Sequence, residues 1–157
     1  IYGAEAKGEY VLSPNWTLAG SIAYANGEDT SLGVPLNSIS PLTGVAGVRY
    51  AATSATYGQY GGALNVTAAA RKSASDIASV GSVAPFPTPG FATMDLTGYW
   101  YLAKYARIVA GVFNLLDKKY WLWSDVNTGV VPGSGAYLDR YTQPGTNASV
   151  SLQLSFP

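Results

Sequence analysis

The chain has 157 residues, nine of them basic and nine acidic, with no cysteine and no histidine. Charged residues make up 11% and hydrophobic residues 48%, against roughly 25% charged in an ordinary globular chain; few charges at a mean hydropathy of only +0.11 fit a surface that is neither water-facing throughout nor a helix in lipid. Disulfides, thiolate metal sites, histidine metal sites and the commonest general base are all excluded, so the chain reads as no enzyme and as holding no metal. No basic stripe marks a nucleic-acid footprint, and no run of about 18 apolar residues could make a membrane helix.

The opening segment, Ile1 to Leu12, alternates. Tyr2, Ala4, Ala6, Gly8, Tyr10 and Leu12 share one face, and Gly3, Glu5, Lys7, Glu9 and Val11 share the other, which is the period of a strand. Ile1 to Glu5 has neither the charged nor the apolar region of a signal peptide, so polypeptide is expected upstream. Ser13-Pro14-Asn15 reads as a tight turn. The second strand, Trp16 to Asn26, sends Trp16, Leu18, Gly20, Ile22 and Tyr24 outward, with aromatic residues at both ends as at two membrane interfaces.

Gly27 to Pro41 has no strand period and reads as a long loop carrying the acidic pair Glu28/Asp29 at its tip. A third strand from Thr43 to Ala52 puts Ala46, Val48 and Tyr50 outward and Arg49 inward, where a charge is tolerated in a lumen and costly in lipid. A short link, 53–59, leads to a fourth strand, Tyr60 to Arg71, with Asn65, Thr67 and Arg71 inside. Lys72 to Gly90 is long and irregular. The fifth strand, Phe91 to Leu102, turns Met94, Leu96, Gly98, Trp100 and Leu102 outward and Asp95, Thr97, Tyr99 and Tyr101 inward. After the short link 103–105, the sixth strand, Ala106 to Leu116, is apolar on both faces, so its orientation is undetermined by pattern. Asp117 to Gly145 is the longest loop, and Thr146 to Phe156 alternates again, with Ala148, Val150, Leu152, Leu154 and Phe156 on one side.

Links after odd strands are short and links after even strands are long. Transmembrane barrels have short periplasmic turns and long extracellular loops, which assigns a direction to every strand. The residues by themselves leave two readings open, a membrane barrel and a soluble β-sandwich or jelly roll. Polar faces of Ser, Thr, Asn and Ala, with the strict alternation of loop length, favour the barrel. Seven strands is an odd count, single-chain bacterial barrels are even-numbered, and an open edge in lipid leaves backbone groups unpaired, so the expectation is the tail of a larger barrel.

Asn114-Leu115-Leu116-Asp117-Lys118-Lys119-Tyr120, followed by a loop, Pro144-Gly145, a last strand and an aromatic end, resembles the Asn-Leu-x-Asp-x-x-Tyr signature of TonB-dependent outer-membrane receptors. Ile1 to Glu5, the Pro35 to Pro41 stretch and Met94-Asp95-Leu96 are similar to that family at corresponding places, so the resemblance covers the whole chain, 1–157, as one barrel portion. Tyr120 to Val126 with Tyr141-Thr142-Gln143-Pro144-Gly145 resembles the haem and haemoglobin/transferrin/lactoferrin branch. The family usually stops at its final aromatic, read by the assembly machinery; here Pro157 follows Phe156, which leaves a trimmed or extended end, or a weaker signal, as the options.

The resemblance implies an all-β fold, an antiparallel transmembrane β-barrel of roughly 22 strands with a plugged lumen, of which these would be about the last seven. It implies a protein of the bacterial outer membrane, embedded in lipid, working with its own N-terminal plug domain and, through the plug, the TonB energy-coupling complex. The implied task is active uptake of haem, taken free or from a haem-carrying host protein; alternatives are uptake of a ferric siderophore or another nutrient and, in another class, a standalone small barrel or soluble β-domain used in adhesion. No cofactor is expected on this segment, haem or a ferric chelate being cargo of the full-length protein.

Candidate residues each have a plain and a sharp reading. Tyr120, Trp121 and Trp123 are either an aromatic platform for a flat ligand or part of the interfacial belt. Tyr137, Asp139, Arg140 and Tyr141 either contact ligand or pack the longest loop. Asp117 and Lys118 are expected to anchor the corner between strand and loop. Arg49, Arg71 and Asp95 face the lumen, as ion-pair partners of a plug or as steps on a ligand path. Haem iron is commonly held by His, Cys, Met or Tyr; without histidine here, any His ligand would come from elsewhere in the receptor.

Overall fold

A computed structural model describes residues 1–79, 86–103, 105–127 and 135–155. Seven long strands are β1 (Tyr2–Ser13), β2 (Trp16–Asn26), β5 (Thr43–Ser54), β6 (Gly58–Ala69), β7 (Phe91–Ala103), β8 (Ala106–Phe113) and β9 (Asn147–Leu154). They form one antiparallel meander in the order β1-β2-β5-β6-β7-β8-β9. Among the described residues, β1 and β9 are the open edges. Short elements inside the long loops escape the alternation pattern: a two-rung hairpin of β3 (Glu28–Asp29) and β4 (Val34–Pro35), single helical turns α1 (Trp123–Val126) and α2 (Gly135–Leu138), and 3-10 turns at Ala74–Asp76 and Asp139–Tyr141. Each is too short to show a period.

The register carries the two-faced pattern across every strand. Tyr10 pairs Leu18, Leu18 pairs Val48, Val48 pairs Leu64, Leu64 pairs Leu96 and Leu96 pairs Val112, one unbroken apolar rung. Gln153 opposite Arg107 and Leu152 opposite Ile108 settle the face of β8: Ile108, Ala110 and Val112 go outward, and Arg107, Val109 and Gly111 inward. Pattern could not orient this strand, because Val109 and Phe113 are apolar residues on the inner face.

Among the described residues, nothing covers the outer face. Leu18, Ile22, Leu96, Val150, Leu152 and Leu154 are exposed, Val150 by 77%. Among the described residues the buried hydrophobic side chains are Ile39, Trp123 and Val126, all three in the long loops. An uncovered apolar sheet of this size is unstable in water and stable against hydrocarbon. Where the strands meet the short turns, Trp16, Tyr50, Tyr60 and Trp100 line up on the outer face; Trp16 and Tyr50 have ring centroids 4.8 Å apart and Tyr50 and Tyr60 6.2 Å, an interfacial girdle. Its polar tips face the turn side, as where the Trp100 indole donates to the Tyr57 carbonyl.

Strand ends differ from the pattern in instructive ways. β6 stops at Ala69, so Arg71 lies in the loop rather than on the lumen wall. β8 stops at Phe113 rather than Leu116 because Asn114 and Asp117 both take left-handed backbone conformations, φ 50° and 48°. Phe156 and Pro157 lie outside the described residues, and with them the expected assembly signal.

The face assignment predicts an asymmetric response on β9. Val150→Arg is expected to cost about 2–4 kcal/mol of folding stability in a bilayer, and its neighbour Ser151→Arg much less. Equilibrium unfolding of the full-length protein in lipid vesicles measures both, and equal costs would refute the outward and inward assignment.

Candidate functional site

Three long loops, spanning 27–42, 70–90 and 114–146, leave the same end of the sheet and pack on one another. Their core is Trp123 and Val126, 3% and 0% exposed, surrounded by Ile77, Phe86, Trp121 and Leu138. The polar cross-braces are specific. The Trp123 indole donates to the Asn37 carbonyl at 2.8 Å, joining the third loop to the first. The Asn37 side chain pairs with the backbone of Ala78 in both directions, accepting from its N–H and donating to its carbonyl, each at 2.8 Å, joining the first to the second. The buried Lys72 ammonium donates to the Ile39 carbonyl at 3.0 Å and stands 5.4 Å over the Trp123 ring. Burial pulls its pKa below the ordinary lysine value, with the nearby Asp76 charge opposing.

The candidate aromatics therefore have distinct environments. Trp123 is the buried pin of this layer. Trp121 is half-buried; its indole donates to the Leu138 carbonyl at 2.9 Å, and its ring meets Phe86 edge-on at 5.4 Å. The Tyr120 ring lies tilted against Phe91 with centroids 4.3 Å apart, and burial, with the charge of Asp95, raises its hydroxyl pKa. The exposed set is Tyr137 (46%), Arg140 and Tyr141 (38%), with the Arg140 guanidinium 5.4 Å over the Tyr137 ring. Asp139 is salt-bridged to Lys119 at 2.5 Å. Glu28 and Asp29 open the small hairpin; Asp29 accepts from the Ser31 hydroxyl and amide, and these bonds lower its pKa.

The motif Asn114 to Tyr120 is a clamp. Asn114 is 3% exposed, and its side chain accepts from the Lys118 N–H and donates to the carbonyls of Lys118 and Pro144. The Thr146 hydroxyl donates to the Asn114 carbonyl, and the Asp117 carboxylate accepts the Thr146 N–H. The start of the longest loop is thereby tied to its end. On the other side, the Asp95 carboxylate accepts the Asn114 N–H at 2.8 Å and Leu115 N–H donates to the Met94 carbonyl, seating the corner on β7. Asp117 and Lys118 thus sit at the strand-to-loop corner, and Asp95, on the inner face of the sheet, is engaged by it. A Cβ on Gly145 would stand 2.5 Å from the Asp117 carboxylate, so the glycine of the Pro144-Gly145 pair is a close approach.

Arg49 faces inward and pairs with Glu9 of β1 at 2.6 Å, both about half exposed. Arg71 is exposed at the loop end and lines a concavity of about 510 Å³ with Lys72, Glu28 and Asp76. Sequence reasoning missed Asn37, Lys72, Val126 and Arg107. The Pro35 to Pro41 stretch was a usable signal for the first, since Asn37 and Ile39, which engage the neighbouring loops, lie within it. Among the described residues no group of three or more acidic side chains is placed to hold a metal ion.

A uniformly antiparallel meander with a bare apolar face, an interfacial aromatic row and one-sided long loops defines a wall segment of a transmembrane β-barrel. The family model "TonB dependent receptor-like, beta-barrel" matches residues 1–115, and the chain belongs to that family. It is 28% identical over 139 residues to hemoglobin-haptoglobin-binding protein A of Haemophilus influenzae, covering 78% of this chain and 13% of that protein. To transferrin-binding protein A of Neisseria gonorrhoeae it is 36% identical over 69 residues, 40% of this chain and 7% of that protein. Copper transporter OprC superposes with a TM-score of 0.79 at 24% identity, covering 98% of this chain and 23% of OprC. The ferric enterobactin receptor of Pseudomonas aeruginosa gives 0.71 at 23% identity, covering 98% and 22%. The chain thus spans about an eighth of its hemoglobin-haptoglobin-binding relative, at 13%.

Proposed function

We propose that this chain forms part of the barrel wall and extracellular loop layer of an outer-membrane active-transport receptor, and that its cargo is iron in the form of haem, drawn from a haem-carrying host protein. The observation that carries the reading is the likeness over 139 residues to a hemoglobin-haptoglobin-binding protein, a span long enough to include loops from which a ligand surface is built. The structure supports it with a pre-assembled loop layer that presents Tyr137, Arg140 and Tyr141 on its exposed side, residue types that dominate protein-binding hot spots. A pre-ordered surface loses little entropy on binding. In this reading a plug domain fills the lumen, the TonB complex supplies energy through it, and the chain's loops recognise rather than react.

The test is binding by the full-length receptor in detergent, with haemoglobin, haemin, a ferric siderophore and copper as separate probes. Haemoglobin or haemin binding is expected, and the double variant Tyr137→Ala/Arg140→Ala is expected to weaken haemoglobin binding by tenfold or more, on the order of 1–2 kcal/mol per hot-spot side chain. Binding of the siderophore or copper with no response to either haem probe would replace the cargo.

A further inference from the structure

At the long-loop end, β2 outruns its neighbour. Its pairing with β1 continues to Asn26 opposite Tyr2, while its pairing with β5 stops at Ala23 opposite Thr43. Extending that register would set Pro41 against Ala25, and a proline has no N–H with which to continue a ladder. The backbone groups that Tyr24, Ala25 and Asn26 turn toward the β5 side therefore have no strand across from them, and among the described residues no loop backbone bonds to them instead. This open edge is about 10 Å long. An open strand edge is a template for a further strand.

The edge forms one wall of the concavity of about 510 Å³ whose other walls carry Glu28, Arg71, Lys72 and Asp76. Ion pairs among the described residues join Arg49 to Glu9 and Lys119 to Asp139, so these four charges converge without pairing with one another. The walls are fixed by backbone bonds: Leu36 N–H donates to the Gly27 carbonyl at 3.0 Å, Ala70 N–H to that of Leu42 at 2.8 Å and Lys72 N–H to that of Thr88 at 2.9 Å. A small anion is opposed here by the two carboxylates and a small cation by Arg71 and Lys72. An apolar ligand would strip the charges of water. An extended polypeptide meets the whole set, giving N–H and C=O groups to the edge and alternate side chains to the charged walls.

We infer that the notch between β2 and the 71–76 segment takes an extended segment of an extracellular partner protein, bearing side chains of both charges, as a short strand added to Tyr24, Ala25 and Asn26. The notch lies on the long-loop side, which in such barrels faces the exterior. The inference deepens the function proposed above by naming how the partner is gripped; it rests on the binding of a host protein and is independent of Tyr137 and Arg140.

The test is amide exchange in the full-length receptor in detergent, with and without haemoglobin. In the free receptor at least one amide of residues 24–26 is expected to exchange freely while that of Ile22, paired on both sides, is protected; haemoglobin is expected to slow it tenfold or more. Ser75→Trp, which fills the notch from the turn Ala74–Asp76, is expected to abolish the slowing and weaken haemoglobin binding tenfold or more. Haemoglobin binding with these amides unchanged, or a Ser75→Trp receptor that binds and slows as the wild type does, overturns the inference and leaves the proposed function standing. No haemoglobin binding removes the haem-protein reading instead; transferrin then serves as the probe, and absence of slowing there too overturns the inference. Should Ser75→Trp fail to assemble, Arg71→Glu, which reverses one wall charge, is read in the same assay.

Discussion

Asn114→Ala is expected to lower the stability of the full-length protein by about 3–4 kcal/mol. Three side-chain hydrogen bonds go, to Lys118 N–H and to the carbonyls of Lys118 and Pro144, at about 1 kcal/mol net each. The left-handed backbone at φ 50° adds about 1 kcal/mol for a residue with a Cβ and no polar side chain to compensate. Asn114→Gly separates the two contributions: it removes the same bonds but relieves the backbone, so it should recover about 1 kcal/mol relative to alanine. Equilibrium unfolding in lipid or detergent measures the series. A loss below about 1 kcal/mol for Asn114→Ala would show that the corner is held by β8 and β9 pairing, at one net hydrogen bond's worth, and not by this side chain.

Trp123→Ala is expected to act on the loops and spare the barrel. Removing a fully buried indole costs about 3–5 kcal/mol through lost contacts and the cavity left behind, and here those contacts are Val126, Trp121 and the Lys72 ammonium, with the bond to the Asn37 carbonyl. Local opening should rise by roughly a hundredfold or more, read as faster amide exchange at Ala78, whose N–H is held by Asn37, and as proteolysis in all three loops at once. The barrel transition should not move, since none of the seven sheet strands contributes a residue to that core. Opening of the 114–146 loop alone would contradict the picture of one interlocked layer.

What could be read from the sequence, and what could not, divides along the range of the interactions. β1, β2, β5, β6, β7 and β9 were legible because lipid on one side and polar surroundings on the other impose a period of two within a single strand. Residues Trp16, Leu18, Ile22 and Tyr24 carry that imprint without reference to any neighbour. β8 was legible as a strand but not in its orientation, because its inner face includes Val109 and Phe113, and only pairing with β7 and β9 shows which way Arg107 points. The Asn114 motif was recognisable as a string, while its work, tying Lys118, Pro144 and Thr146 together, spans about thirty residues of chain.

The loops lie at the far end of that scale. Trp121 and Trp123 read as belt or as platform, since an isolated aromatic gives no sign of what will cover it. Tertiary structure decided that Trp123 is buried beneath Asn37 and Lys72 and that Tyr137 and Arg140 stay in the open. The sequence alone determined the wall, its two faces and the end from which the long loops rise, because a slab of hydrocarbon acts on each strand separately. Only the folded arrangement determined the loop layer and the orientation of Arg107, because those depend on side chains brought together from strands and loops distant in the chain.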